Sequence, residues 1–110
     1  MACACGLNGS LIIDVGTGAE RRSMPQRSQG PNVLCSIEVL EVEAADDLIV
    51  SIMHKLSTDT SYTEAAAFAA ISTTGVHTLQ ITGLKSDYYW LYKCDNGKFI
   101  INAPTVQTLV

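Results

Sequence analysis

Apolar side chains recur at every second position through most of this chain, in short runs divided by Gly, Asn, Asp, Ser and Pro, and this alternation predicts β-strands. From Val33 to Val42, the residues Val33, Cys35, Ile37 and Val39 share one face. The apolar set then continues through Leu40 and Val42, a change of phase that predicts a β-bulge. From Leu48 to Leu56 the apolar face is Leu48, Val50, Ile52 and Leu56, with Ser51 and Lys55 opposite. His54 falls on that apolar face, where a core-edge histidine with a backbone partner is expected. Val76 to Thr82 predicts a strand with Leu79 and Ile81 inward, ended by Gly75 and Gly83.

The strongest local signal is Asp95-Asn96-Gly97-Lys98, because an Asn-Gly pair suits the two positive φ angles of a type I′ turn. It predicts a hairpin from Tyr88 to Ala103 with Trp90, Tyr92, Cys94, Phe99 and Ile101 on the core side. Strands at Leu11 to Val15 and Thr105 to Val110 bring the total to about seven or eight. Helical propensity is confined to Glu64 to Ile71, which is too short to be stable alone and is expected as one turn of helix or a strand. The fold class is therefore all-β: a single small β-sandwich, jelly-roll or Ig-like, spanning residues 1–110.

Residues 16–32 break the pattern. They carry no apolar periodicity, two prolines, and three of the seven basic residues, Arg21, Arg22 and Arg27. A flexible loop or a docking arm is expected there, with no carboxylates at strand or helix spacing to pair these arginines. The acidic residues Glu38, Glu41, Glu43, Asp46 and Asp47 read as a solvated strand edge that discourages pairing.

Composition narrows the chemistry. A net charge of −4 argues against a nucleic-acid binder, since phosphate binding is driven by Lys and Arg. The first apolar run, Leu11-Ile12-Ile13, is far shorter than an export signal or a membrane span, so no membrane is expected and the four cysteines read as reduced thiols. Cys3 and Cys5 lie two apart, but no CxxC pair exists to nucleate a zinc site, and no metal or other cofactor is expected. Asp14-Val-Gly-Thr-Gly18 has the form of a phosphate turn of actin-like ATPases, yet the chain is too short to supply the second lobe that such a site needs. Neither His54 nor His77 stands in a nucleophile context, so the chain reads as a non-enzyme. A hydrophobic content of 47% with only 16% charged residues leaves apolar surface to spare, as an interface would require.

From Ser57 to Leu91 the order of residues resembles small β-sandwich virion proteins of tailed bacteriophages, including head-decoration and cement proteins. The resemblance rests on Ser57-Thr-Asp59 followed by Tyr62-Thr63, then Phe68 and Ile71, then Gly75 to Leu84, and then Tyr88-Tyr89, about a third of the chain. A related Ser, Asp, Gly and Trp theme occurs in discoidin-like and carbohydrate-binding sandwiches, with Thr60 and Tyr62 here where that theme has Gly and Trp. The phage resemblance implies a capsid decoration protein, assembled in the host cytoplasm, that binds the major capsid protein or other virion subunits across their boundaries. A glycan-binding or adhesion module, and a tail or connector component, are the alternatives. The strand at Thr105 to Val110 carries Val106 and Val110 on one face and Leu109 on the other. It predicts either pairing inside its own sheet or an open edge that makes a homo-oligomer, with a trimer fitting the decoration role.

Overall fold

The alternating runs form nine strand segments and no helix among the residues that the structure, a computed structural model, describes: 10–15, 20–44, 47–94 and 97–109. In chain order these are β1 (Ser10–Val15), β2 (Glu20–Arg22), β3 (Gln26–Arg27), β4 (Val33–Ala44), β5 (Ile49–Lys55), β6 (Thr63–Ala67), β7 (Gly75–Ile81), β8 (Asp87–Lys93) and β9 (Gly97–Thr108). One sheet has the order β1-β9-β4-β7 and the other β2-β8-β5-β6, with β3 following β2 along the same side of β8. All neighbours are antiparallel. With β2 and β3 counted as one interrupted strand, the chain crosses repeatedly between two four-stranded sheets. That strand order is the two-Greek-key arrangement of a jelly roll.

The inward alternation builds the core between the sheets. Val33, Cys35, Ile37, Val39, Ile81, Phe99 and Ile101 come from one sheet, and Val50, Ile52, Tyr88, Trp90 and Tyr92 from the other. Leu48 and Ile71 close one end through reciprocal backbone hydrogen bonds of 2.9 and 3.0 Å. Phe68 lies 5.9 Å from Trp90, centroid to centroid. These partners decide the alanine-rich stretch in favour of strand β6, since a helix could not keep Phe68 and Ile71 in the core while pairing with β5. At the ends of β7, Gly75 and Gly83 take φ angles of 116° and 85°, values that suit glycine alone.

β4 and β9 pair along their length with two breaks of register. Opposite Ile37 the extra residues are Ala103 and Pro104. A proline has no N–H for the ladder, so a bulge is where a central strand accommodates it. The second break is at Leu40, where a bulge was expected. Leu40 is the bulged residue itself and is 45% exposed, while Val42 packs on the core, so the expected inward placement of Leu40 is corrected.

Three further expectations change, and the C-terminal strand takes one of its two expected places. Tyr88 to Ala103 is not a hairpin: β8 lies between β2 and β5, and β9 between β1 and β4, so the chain changes sheets between Lys93 and Gly97. The inward faces hold nonetheless, because Trp90, Tyr92, Cys94, Phe99 and Ile101 are all buried. Asp95 and Asn96 lie outside the described residues. Leu56 points outward, since Asp59 Oδ2 accepts its N–H at 2.9 Å and Leu56 O accepts that of Asp59 at 2.9 Å, a turn that ends the strand phase. Glu38, Glu41 and Glu43 of the acidic run belong to β4, an interior strand and not an edge, Asp47 lies beyond it, and Asp46 lies outside the described residues. Thr105 to Thr108 pair with Val33 to Ser36 inside their own sheet, the internal alternative for that strand.

Candidate functional site

Of segment 16–32, expected as a loop or arm, residues 20–32 are laid against β8 through β2 and β3, and residues 16–19 lie outside the described residues. Backbone pairing with an open edge needs no apolar periodicity, which is why the pattern concealed it. Between the two short strands Ser23 fastens the segment: its N–H donates to Trp90 O at 2.9 Å, and its Oγ accepts the Trp90 N–H at 2.8 Å. Ser28 N–H then donates to Ser86 O at 2.9 Å.

With Tyr88, Trp90 and Tyr92 inward, the alternation on β8 sends Asp87, Tyr89, Leu91 and Lys93 to the outer face. Their register partners on β5 are Lys55, Met53, Ser51 and Ile49. Glu64 of β6 lies opposite Met53, and Arg22 and Arg27 lie opposite Leu91 and Asp87. The outer face of this sheet is thus a band of aromatic, aliphatic and charged groups, and it is indented. A depression of about 400 Å³ is lined by Asp47, Ile49, Ser51, Glu64, Leu91 and Lys93. Two smaller ones, of about 280 and 230 Å³, share Pro25 and Tyr62.

Tyr89 is the anchor of this face. Although it points away from the core it is only 7% exposed. Tyr62 meets it edge to face at 4.8 Å, and the Arg22 guanidinium lies 5.6 Å from its ring centroid. On the other side Lys55 Nζ sits 5.4 Å from the Tyr62 ring centre, donates to Asp59 O at 3.1 Å, and is 4.0 Å from Asp87 Oδ2. Arg27 Nε is 3.8 Å from the other oxygen of Asp87, a partner that sequence spacing did not suggest. Cations beside aromatic rings and a carboxylate between two cations bring these side chains together on one surface. Met24, 80% exposed, stands in the turn between β2 and β3 beside it.

Of the residues expected to bind a partner, Arg22 and Arg27 belong to this face. Arg21 is exposed but lies opposite Tyr92, on the other side of the strand from Arg22. Val106 packs against the core in the other sheet, and the N–H of Leu109 donates to Asn32 O at 2.8 Å. Val110 lies outside the described residues. Sequence reasoning missed Tyr62, Tyr89 and Ser51. The signal was present for Tyr89, since an inward Trp90 makes its neighbour outward, but Tyr62 is brought there only by tertiary folding.

The titratable interior serves packing. Burial pushes the Cys35 thiol up to about 11 and raises the Tyr92 phenol, and Tyr88 is raised by burial and then by Cys35. His54 has the backbone partner expected of it: its Nδ1 accepts the Lys85 N–H at 3.2 Å. Burial, and secondarily the charge of Lys85, lower its pKa. Among the described residues no group of three metal-ligating side chains converges. Comparison with known proteins finds no family model, no curated protein and no solved structure that matches the chain.

Proposed function

We propose that this chain is a structural protein of a tailed-phage virion, an accessory protein that binds across neighbouring capsid subunits. The face it presents is the outer side of the β2-β8-β5-β6 sheet. The observation that carries this reading is the Tyr62, Tyr89 and Arg22 cluster. Tyr62 and Tyr89 both belong to the phage-like pattern and are far apart in sequence, yet they touch, and Arg22 reaches them from the segment in which a docking arm was expected. Aromatic and arginine side chains held rigid at a partly wet surface are the usual anchors of protein interfaces. Engagement at several capsid sites would multiply a modest affinity per site.

The half-buried Tyr62 of this cluster favours a second reading, a glycan-binding module, because sugar rings stack on aromatic faces flanked by polar groups. Co-sedimentation with phage heads separates the two. Binding of the chain to heads, with at least a tenfold loss in Tyr62→Ala and Arg22→Ala, is expected of a decoration protein. Binding to a neutral glycan panel without attachment to heads would replace the first reading with the second.

A further inference from the structure

The outermost strands of the two sheets are β1, β7, the β2 and β3 pair, and β6. An outermost strand offers unpaired N–H and C=O groups, and proteins normally blunt such edges with charge, proline, bulges or brevity. Three of the four are blunted here. The β2 and β3 edge is interrupted at Pro25 and carries Arg21, Arg22 and Arg27. β6 is five residues long, contains Glu64, and is bulged against β5 between Ile52 and Met53. β1 contains Asp14.

β7 has none of these devices. Its seven residues, Gly-Val-His-Thr-Leu-Gln-Ile, include no carboxylate, lysine, arginine or proline. Its register with β4 runs unbroken from Val33 opposite Ile81 to Val39 opposite Gly75. Its outer face is Val76, Thr78 and Gln80, all exposed, Val76 at 65%. His77 is held locally, with Nε2 3.1 Å from Thr73 O.

We infer that β7 is a self-association edge, pairing antiparallel with β7 of a second copy so that two four-stranded sheets become one of eight strands. The occupant follows from charge. Antiparallel pairing centred on Thr78 places Thr78 opposite Thr78, Val76 opposite Gln80, and His77 opposite Leu79. No like charges meet, although the chain carries a net charge of −4. A threonine pair and a β-branched residue against an amide are acceptable cross-strand neighbours. The nearest carboxylate in register is Glu38, opposite Val76 on β4. Across the junction the two copies of Glu38 stand about three strand spacings and four residues apart, roughly 19 Å. That exceeds the screening length of about 8 Å at physiological salt. The same pairing by β6 would bring Glu64 near its own copy, and by β2 and β3 it would bring arginines together. The assembly is a closed two-fold pair, and not the three-fold ring that the phage resemblance suggests.

The test is sedimentation equilibrium of the full chain at up to about 100 µM, a range suited to a small edge contact. The wild type is expected to approach the dimer mass as concentration rises. Thr78→Lys and Thr78→Glu each place like charges on the two-fold axis at an exposed position, and each is expected to sediment as a monomer. Mixing the two restores the dimer as a heterodimer, which misfolded chains could not do. Gln107→Lys, on the exposed face of the C-terminal stretch, leaves the dimer intact. A wild type monomeric at every concentration, a Thr78→Lys chain that still dimerises, or no recovery on mixing overturns the proposal. Loss of the dimer in Gln107→Lys alone would assign association to β9 instead and overturns it as well.

Discussion

The two sheets share one core but differ on their outer sides. The β2-β8-β5-β6 sheet covers its outer face with its own chain: Tyr89 lies under Tyr62 and Arg22, and Ser51 is 6% exposed at the floor of a depression. The outer face of the β1-β9-β4-β7 sheet is more open where it is described, with Val76 and Leu40 to solvent and a hydrogen bond from Asn102 Nδ2 to Glu38 Oε1 at 2.7 Å. Sheets of the same strand number and similar alternation thus divide the work. One is a layered surface with depressions of up to about 400 Å³, and the other is a thinner wall with one of about 230 Å³ beside Glu38, Val76 and Asn102.

The largest effect that tests this contrast is Trp90→Ala, which empties the space between Tyr88, Phe68 and Ser23. It should cost about 3–5 kcal/mol, the usual range for a buried large aromatic, read from urea unfolding. A smaller cost would mean that the core is shared less evenly between the sheets than its packing indicates.

The contrast itself is tested by truncating one outward residue on each sheet. Tyr89→Ala should cost about 2–4 kcal/mol because its ring is covered on the outside. Val76→Ala should change stability by less than about 0.5 kcal/mol. Equal costs in urea would show that the outer layer of the β8 sheet contributes no more than bare surface.

The smallest effect is a pH dependence on the β5 side. The folded pKa of His54 is depressed because protonation would place charge in a half-buried site, and secondarily because that charge would lie near the Lys85 cation. The folded state therefore binds this proton less readily than the unfolded chain does. Its contribution is fully present above the unfolded value near 6.5 and is lost as pH falls through the lower folded value. His54→Gln should remove that part of the slope from Tm measured between about pH 7.5 and 5. An unchanged slope would place the titration elsewhere.

Strand identity and inward faces were legible because a period of two reports burial directly: Val33 through Val39, Val50, Ile52, Trp90 and Phe99 all lie where alternation puts them. Sheet membership was not. The Asn96-Gly97 pair is a local signal, whereas the separation of β8 from β9 is set by which neighbours complete each sheet, Tyr88 to Lys93 against β5 and Gly97 to Ala103 against β1 and β4. The outer-face cluster was half legible. Alternation yields Tyr89, but nothing local joins it to Tyr62 or to Arg22, which arrive from other strands.

The position of β9 also bears on how the chain comes to be folded. As the partner of both β1 and β4, it joins the earliest described strand to the middle of the molecule, and it is made after every other described strand. Until it is made, β1 has no described neighbour in its sheet, and the apolar side of β4 lacks Phe99 and Ile101. This sheet is therefore completed only once β9 has been made, and the nascent chain carries unpaired strands meanwhile. Removing Thr105 to Val110 strips the β9-side partners from Val33 to Ser36, which keep those on β7. A chain shortened there leaves one side of β4 open over those four residues.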